Sequence, residues 1–217
     1  MRLPGKFFFT AGLLLAVNLW QQPVALAGAY EDLRWAAEDN NTTDMTKLLA
    51  AGADPDTPDA QGNTLLMVAV RNKNAELVDL LIKAGAKLNL RNKYGETAIM
   101  LASYNGLGNI VEKLYVKGAE INHKGWNPLL YAAIAGHAKI VQLLLEGGAE
   151  VNSISSNGST PLMMAARGNH VDTAQVLLKN GADPNIRNEL GKTALDWALS
   201  KDNQKIAELL KTSGATE

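Results

Sequence analysis

The sequence predicts an all-α solenoid of about six helix–turn–helix units. Three observations carry this. A Gly-Ala pair recurs with its glycine at Gly52, Gly85, Gly118, Gly148, Gly181 and Gly214, at spacings of 33, 33, 30, 33 and 33 residues. A second series, Gly62, Gly95, Gly125, Gly158 and Gly191, is spaced 33, 30, 33 and 33. Between the two series, each unit has start and stop signals for two short helices. A fixed period of this size marks stacked repeats, because one such unit cannot bury its apolar face alone. Both series also place one three-residue deletion between Gly118 and Gly125.

The unit "GSTPLMMAARGNHVDTAQVLLKNGADPN" (158–185) is the clearest. Thr160 suits an N-cap, because its hydroxyl accepts from a free backbone N–H two or three residues on. Pro161 suits the first helical position, where no N–H is needed. Leu162, Ala165 and Ala166 make a narrow apolar face on which helices can approach closely. Gly168-Asn169 turns the chain. Val171, Ala174, Val176, Leu177 and Leu178 make the face of a second helix. Gly181 ends it, since glycine enters the left-handed region without a Cβ clash.

The end units differ in ways that suit caps. A step of 33 back from Gly62 reaches Ala29, so the first unit lacks the Gly-x-Thr-Pro-Leu opening. There Leu33, Trp35, Ala36, Met45, Leu48 and Leu49 are expected to face the second unit, with Glu31, Asp32, Glu38, Asp39 and Asn40 in water. In the last unit Ile206, Leu209 and Leu210 should point inward, and Gln204, Lys205, Glu208 and Lys211 outward. The units fall at about 30–58, 59–91, 92–121, 122–154, 155–187 and 188–217, forming one domain without a linker.

The period, "GSTPLMMAA", "GHAKIVQLLLEGGAEVN" and "GADPNIRNELGKTALDWA" resemble ankyrin repeats, over roughly residues 30–214. The resemblance implies a solenoid with short β-hairpin fingers between units. Where the family has His after Thr-Pro-Leu, this chain has Met67, Met100, Leu130, Met163 and Asp196, so the family's His-to-Thr hydrogen bond is absent and apolar stacking is expected there. His137 and His170 hold a position where the family often has His, and are read as structural.

Little else in the chain asks for chemistry. It has no cysteine and three histidines, none paired at ligand spacing, so no zinc site is expected. No phosphate-binding Gly-rich loop and no Gly-x-Ser-x-Gly element occurs. The chain reads as a non-enzyme without a cofactor, although an active site assembled from distant residues stays open. Residues 1–27 read as a cleaved signal peptide: basic Arg2 and Lys6, an apolar run from Phe7 to Leu19, and Ala25-Leu26-Ala27. The run of about 14 residues is short of the roughly 20 that span a bilayer. The mature chain then has 19 basic and 22 acidic residues, a balance of −3 that argues against general nucleic-acid binding. No membrane contact is expected after cleavage, and the chain is expected to be a monomer. The absence of disulfides favours a bacterial periplasm; secretion to act on a host protein stays open.

By resemblance, a protein partner would bind the concave side, on the finger tips and the exposed face of each first helix. The matching positions include Arg71, Arg91, Lys93, Tyr94, Tyr104, His123, Lys124, Trp126, Asn157, Arg167 and Arg187. Tyr94, Tyr104 and Trp126 bring large aromatics to neighbouring units. Arg71, Arg91, Lys93, Lys124, Arg167, Arg187 and Lys192 make a basic stripe suited to a partner's acidic patch. The deletion should notch the finger row, with His123 and Lys124 on its floor and Tyr94 and Trp126 beside it. Two readings of the notch stay open, a receptor for a partner loop anchored by Trp126 and a neutral deletion with Trp126 as packing.

Overall fold

The computed structural model describes residues 22–216, with side chains from Tyr30 onward. Among these residues there are twelve α-helices in six pairs. The inner helices are α1 (Gln22–Glu38), α3 (Leu65–Arg71), α5 (Ala98–Tyr104), α7 (Pro128–Ile134), α9 (Pro161–Arg167) and α11 (Ala194–Ser200). The outer helices are α2 (Thr42–Ala50), α4 (Ala75–Lys83), α6 (Gly108–Val116), α8 (Ala138–Glu146), α10 (Val171–Lys179) and α12 (Gln204–Thr212). Each inner helix packs on the next, from α1 through α11, and each pairs with the outer helix that follows it.

Helices of seven and nine residues are too short to persist alone. Their caps define where they start. The hydroxyls of Thr64, Thr97, Thr160 and Thr193 each accept the N–H three residues on, and Asn127 does the same by its amide oxygen. Stacking then stabilises them. Ala69, Ala102, Ala132, Ala165 and Ala198 are fully buried in one row, where a larger side chain would hold neighbouring inner helices apart.

Met67, Met100 and Met163 are buried, as the apolar reading expected. Stacking is not all they contribute. The Met100 and Met163 sulfurs each accept the backbone N–H of the capping threonine at 3.4 Å. Asp196 accepts the Thr193 N–H at 2.8 Å. That bond and the Thr193 hydroxyl outweigh burial and hold its carboxyl below the ordinary range.

Two expectations need correction. Trp35 does not face the second unit; it is 55% exposed on the open end of the stack, with the Arg34 guanidinium 5.1 Å from its ring. The fingers form no β-strands among the described residues; one isolated bridge joins Pro58 and Thr64. The first helix starts at Gln22 and runs past Ala27. The remainder of the leader lies outside the described residues. No helix among the described residues is long and apolar enough to cross a membrane.

The caps are polar as expected. Asp32, Asp44 and Lys47 stand where the second unit has Leu65, Leu77 and Leu80. Ile206 and Leu210 are buried, while Lys205 and Glu208 are exposed.

Candidate functional site

The fourth residues of α3, α5, α7, α9 and α11 form a row, Val68, Leu101, Tyr131, Met164 and Trp197, with Trp35 at the matching place of α1, 33 residues before Val68. The row is aromatic at its middle. Tyr131 lies edge-on to Trp126 at 5.4 Å and to Tyr104 at 6.1 Å between ring centroids. Its hydroxyl donates to Glu96 Oε1 at 3.0 Å. Burial, then the Glu96 carboxylate, push the Tyr131 hydroxyl pKa well above its ordinary value. Tyr104 is 52% exposed, while Trp126 is half-buried against the core. The structure therefore joins two of the three predicted aromatics through a third that sequence reading passed over. Tyr131 falls at a position filled by Leu101 and Met164 in neighbouring units, and so reads as core. Tyr94 has no ring contact among the described residues and is 75% exposed.

The predicted basic residues divide into two groups. Arg91 and Arg187 serve their own fingers, donating to the Gly95 and Gly191 carbonyls at 3.0 and 2.9 Å. Arg167 stacks 5.1 Å over the Trp197 ring. Arg71 acts on Asp59: burial would raise that carboxyl, but N–H bonds from Asn63 and Gln61, together with the Arg71 charge, hold it below its ordinary range. Asn157 accepts from the Ser155 hydroxyl at 2.6 Å within its own finger. Lys93 and Lys124 are exposed and form no ion pair among the described residues.

His137 and His170 are structural, as read. Their Nε2 atoms donate to the Tyr104 and Ile134 carbonyls at the end of the preceding inner helix, at 3.0 and 3.1 Å. Asn203 does the same to Ala166 at 2.7 Å.

Two regular hydrogen-bond systems hold the fingers, and the deletion interrupts one of them. The outer system is a ladder. Asp56, Asn89, Asn122, Asn152 and Asn185 each accept the backbone N–H of the residue that follows the next Gly-Ala pair, at 2.7, 2.9, 3.0, 3.0 and 2.9 Å. The inner system is a knot. Asp59, Asn92, Ser155 and Asn188, three residues before the finger glycine, accept N–H groups of their own finger tip. In the short finger both positions fall on Asn122, four residues after Gly118 and three before Gly125. Asn122 serves the ladder, so this finger has no knot.

The finger row breaks there. Lys93 N–H bonds the Gln61 carbonyl and Glu189 N–H bonds the Asn157 carbonyl, pairing the fingers on either side. A Cβ on Gly62 or Gly158 would meet neighbouring backbone at 3.3 and 3.2 Å, whereas one on Gly95 or Gly125 would meet nothing within 4 Å. The expected notch is therefore present. Its walls are His123, Lys124 and Gly125 on one side and Ser153, Ile154 and Ser156 on the other, around an open cleft of about 530 Å³. Tyr94 and Trp126 are not among the residues lining it. Both His123 ring nitrogens and the Ser153 hydroxyl are buried without a hydrogen-bond partner. Burial, then the Arg91 charge, lower the His123 pKa. Among the described residues no group of three or more His, Asp or Glu side chains could hold a metal ion.

A family model for ankyrin repeats matches the chain in three copies, over residues 33–125, 110–188 and 155–216. The chain is an ankyrin-repeat protein. No curated protein matches it significantly. Ankyrin repeats indicate a protein–protein interaction module and are generally non-catalytic. On this ankyrin-repeat surface the aromatic cluster is at the centre of the inner row, and the interrupted finger is beside it.

Proposed function

We propose that this ankyrin-repeat chain is an exported module that binds a protein partner with an acidic patch across its concave face. The observation that carries this reading is the Tyr104–Tyr131–Trp126 cluster, whose outer ring is 52% exposed. Exposed Lys93 and Lys124 flank it in sequence on neighbouring fingers. Aromatic rings anchored by their neighbours lose little freedom on binding and make strong contacts. Charges at a rim act mainly on association rate.

The test is capture of the partner by the immobilised chain from a periplasmic extract of its source organism, followed by kinetics on the purified pair. Tyr104→Ala should weaken affinity by at least about 2 kcal/mol while costing no more than about 0.5–1.5 kcal/mol of stability through the lost Tyr131 contact. Lys93→Glu with Lys124→Glu should slow association and weaken its salt dependence. Lys93 and Lys124 are reversed rather than Arg91 and Arg187 because each of those arginines also holds a finger carbonyl. Normal affinity and kinetics in both variants would reject the concave-face reading. Export rests on the basic, apolar and Ala-x-Ala layout of residues 1–27. Mass measurement of the protein from its own host should give a chain beginning at Gly28 or Tyr30; an intact N-terminus in the cytoplasm would reject export.

A further inference from the structure

We propose that the short finger is a receptor for an acidic loop of a partner protein, and that an aspartate carboxylate on this loop takes the place of the knot residue the finger lacks. The proposal rests on the interaction reading above and assigns it a site.

The regular fingers show what the short one is missing. Asp59 Oδ1 accepts the N–H groups of Gln61 and Asn63, both at 2.8 Å. Asn92 Oδ1 accepts those of Tyr94 and Glu96 at 2.9 and 3.0 Å. Asn188 Oδ1 accepts those of Leu190 and Lys192, both at 3.0 Å. The matching donors in the short finger are the backbone N–H groups of Lys124 and Trp126. Neither is hydrogen-bonded among the described residues. Gly125 keeps the left-handed φ, +79° against +79° at Gly62 and +78° at Gly95, but not the glycine N–H bond to the knot residue's carbonyl that closes the other fingers, so a carboxylate would have to draw the two N–H groups together. Asn122 cannot close the knot, because its side chain is bonded to Glu150 N–H and the Gly148 carbonyl.

Charge selects among acceptors. The Lys124 side chain lines the cleft, and the Arg91 charge acts on the neighbouring His123. An anionic acceptor gains more from two N–H donors in that setting than a neutral amide does. Glu150 also lines the cleft, and Glu120 acts on His123 in the opposite sense, so the favoured ligand is one carboxylate on an otherwise uncharged loop. The remaining wall suits extended peptide. The Ser153 hydroxyl has unused hydrogen-bonding capacity, and Ile154 is 53% exposed. The regular fingers fill the corresponding place with three residues of their own chain.

The chain supplies its own probe. The capped peptide acetyl-Thr-Pro-Asp-Ala-amide copies residues 57–60 of a regular finger. Titrated into the full chain and followed by amide NMR, it should shift Lys124 and Trp126 saturably, with a dissociation constant on the order of millimolar. The same peptide with alanine for aspartate should bind about tenfold more weakly or worse. Insertion of Leu-Arg-Asn after Asn122, copying residues 90–92, should abolish the shifts while helical circular dichroism is kept. Equal shifts with the alanine peptide would overturn the proposal. So would the same saturation by sodium acetate alone, which would make the site a general anion site with no preference for a loop. The peptide comparison uses the unaltered chain and so decides the matter even if the insertion prevents folding. Partner capture that survives a folded insertion would remove this site and leave the concave-face reading standing.

Discussion

Trp126→Ala should lower the unfolding free energy by about 2–3 kcal/mol, below the ~3–5 kcal/mol of a fully buried large aromatic because part of the ring remains in water. The residue packs against the core and lies edge-on to Tyr131 at 5.4 Å. Its loss would leave Tyr131 without one of its two ring neighbours. Such a pair contributes about 0.5–1.5 kcal/mol beyond buried area, so Tyr131→Ala should be partly non-additive with Trp126→Ala by that amount. Tyr94→Ala is the control: an exposed ring without a ring partner, it should change stability by no more than about 0.5 kcal/mol. Urea unfolding with a constant m-value measures all four variants. If Trp126→Ala unfolds at the parental midpoint, the tryptophan is a free anchor and the packing assignment fails. Affinity for the partner should fall as well, because Tyr104 and Tyr131 lose a fixed neighbour.

Gly106→Ala should cost about 2–4 kcal/mol, from left-handed strain together with a lost hydrogen bond. Gly106 has φ +75°, and an added Cβ would lie 2.8 Å from His137 Cε1. The imidazole would have to move, and its bond to the Tyr104 carbonyl at 3.0 Å would break. Gly85 isolates the two contributions. Its φ is +87°, and a Cβ there meets nothing within 4 Å. Gly85→Ala should therefore cost the strain alone, about 1–2 kcal/mol. In a His137→Ala background the two glycine substitutions should become equal. A Gly106→Ala cost that stays high without the imidazole would show that the ring is not what the methyl meets.

The repeat was legible because its signals are local. Glycines needing positive φ, threonines able to cap, and alanines narrow enough for helices to approach are required in each unit separately, and they recur in register. The caps were legible for the same reason: Asp32 and Asp44 replace leucines of the next unit. The deletion itself was exact in the glycine count. Trp35 was misread because its spacing fits an inward face, whereas its position at the open end leaves nothing to cover the ring. Tyr131 was missed because a half-buried aromatic at a core position carries no sign of what it touches.

The sequence by itself determined the helix pairs, their order, the polar ends and the site of the missing three residues, since each depends on backbone geometry within one unit or the next. Tertiary structure alone decided which side chains meet. It joined Tyr104 and Trp126 through Tyr131 and turned Arg91 and Arg187 onto finger carbonyls. It also settled the competition at Asn122, one side chain for two hydrogen-bond systems. The Glu150 N–H and the Gly148 carbonyl, both at the next Gly-Ala turn, engage both ends of its amide, and the knot of its own finger is left open.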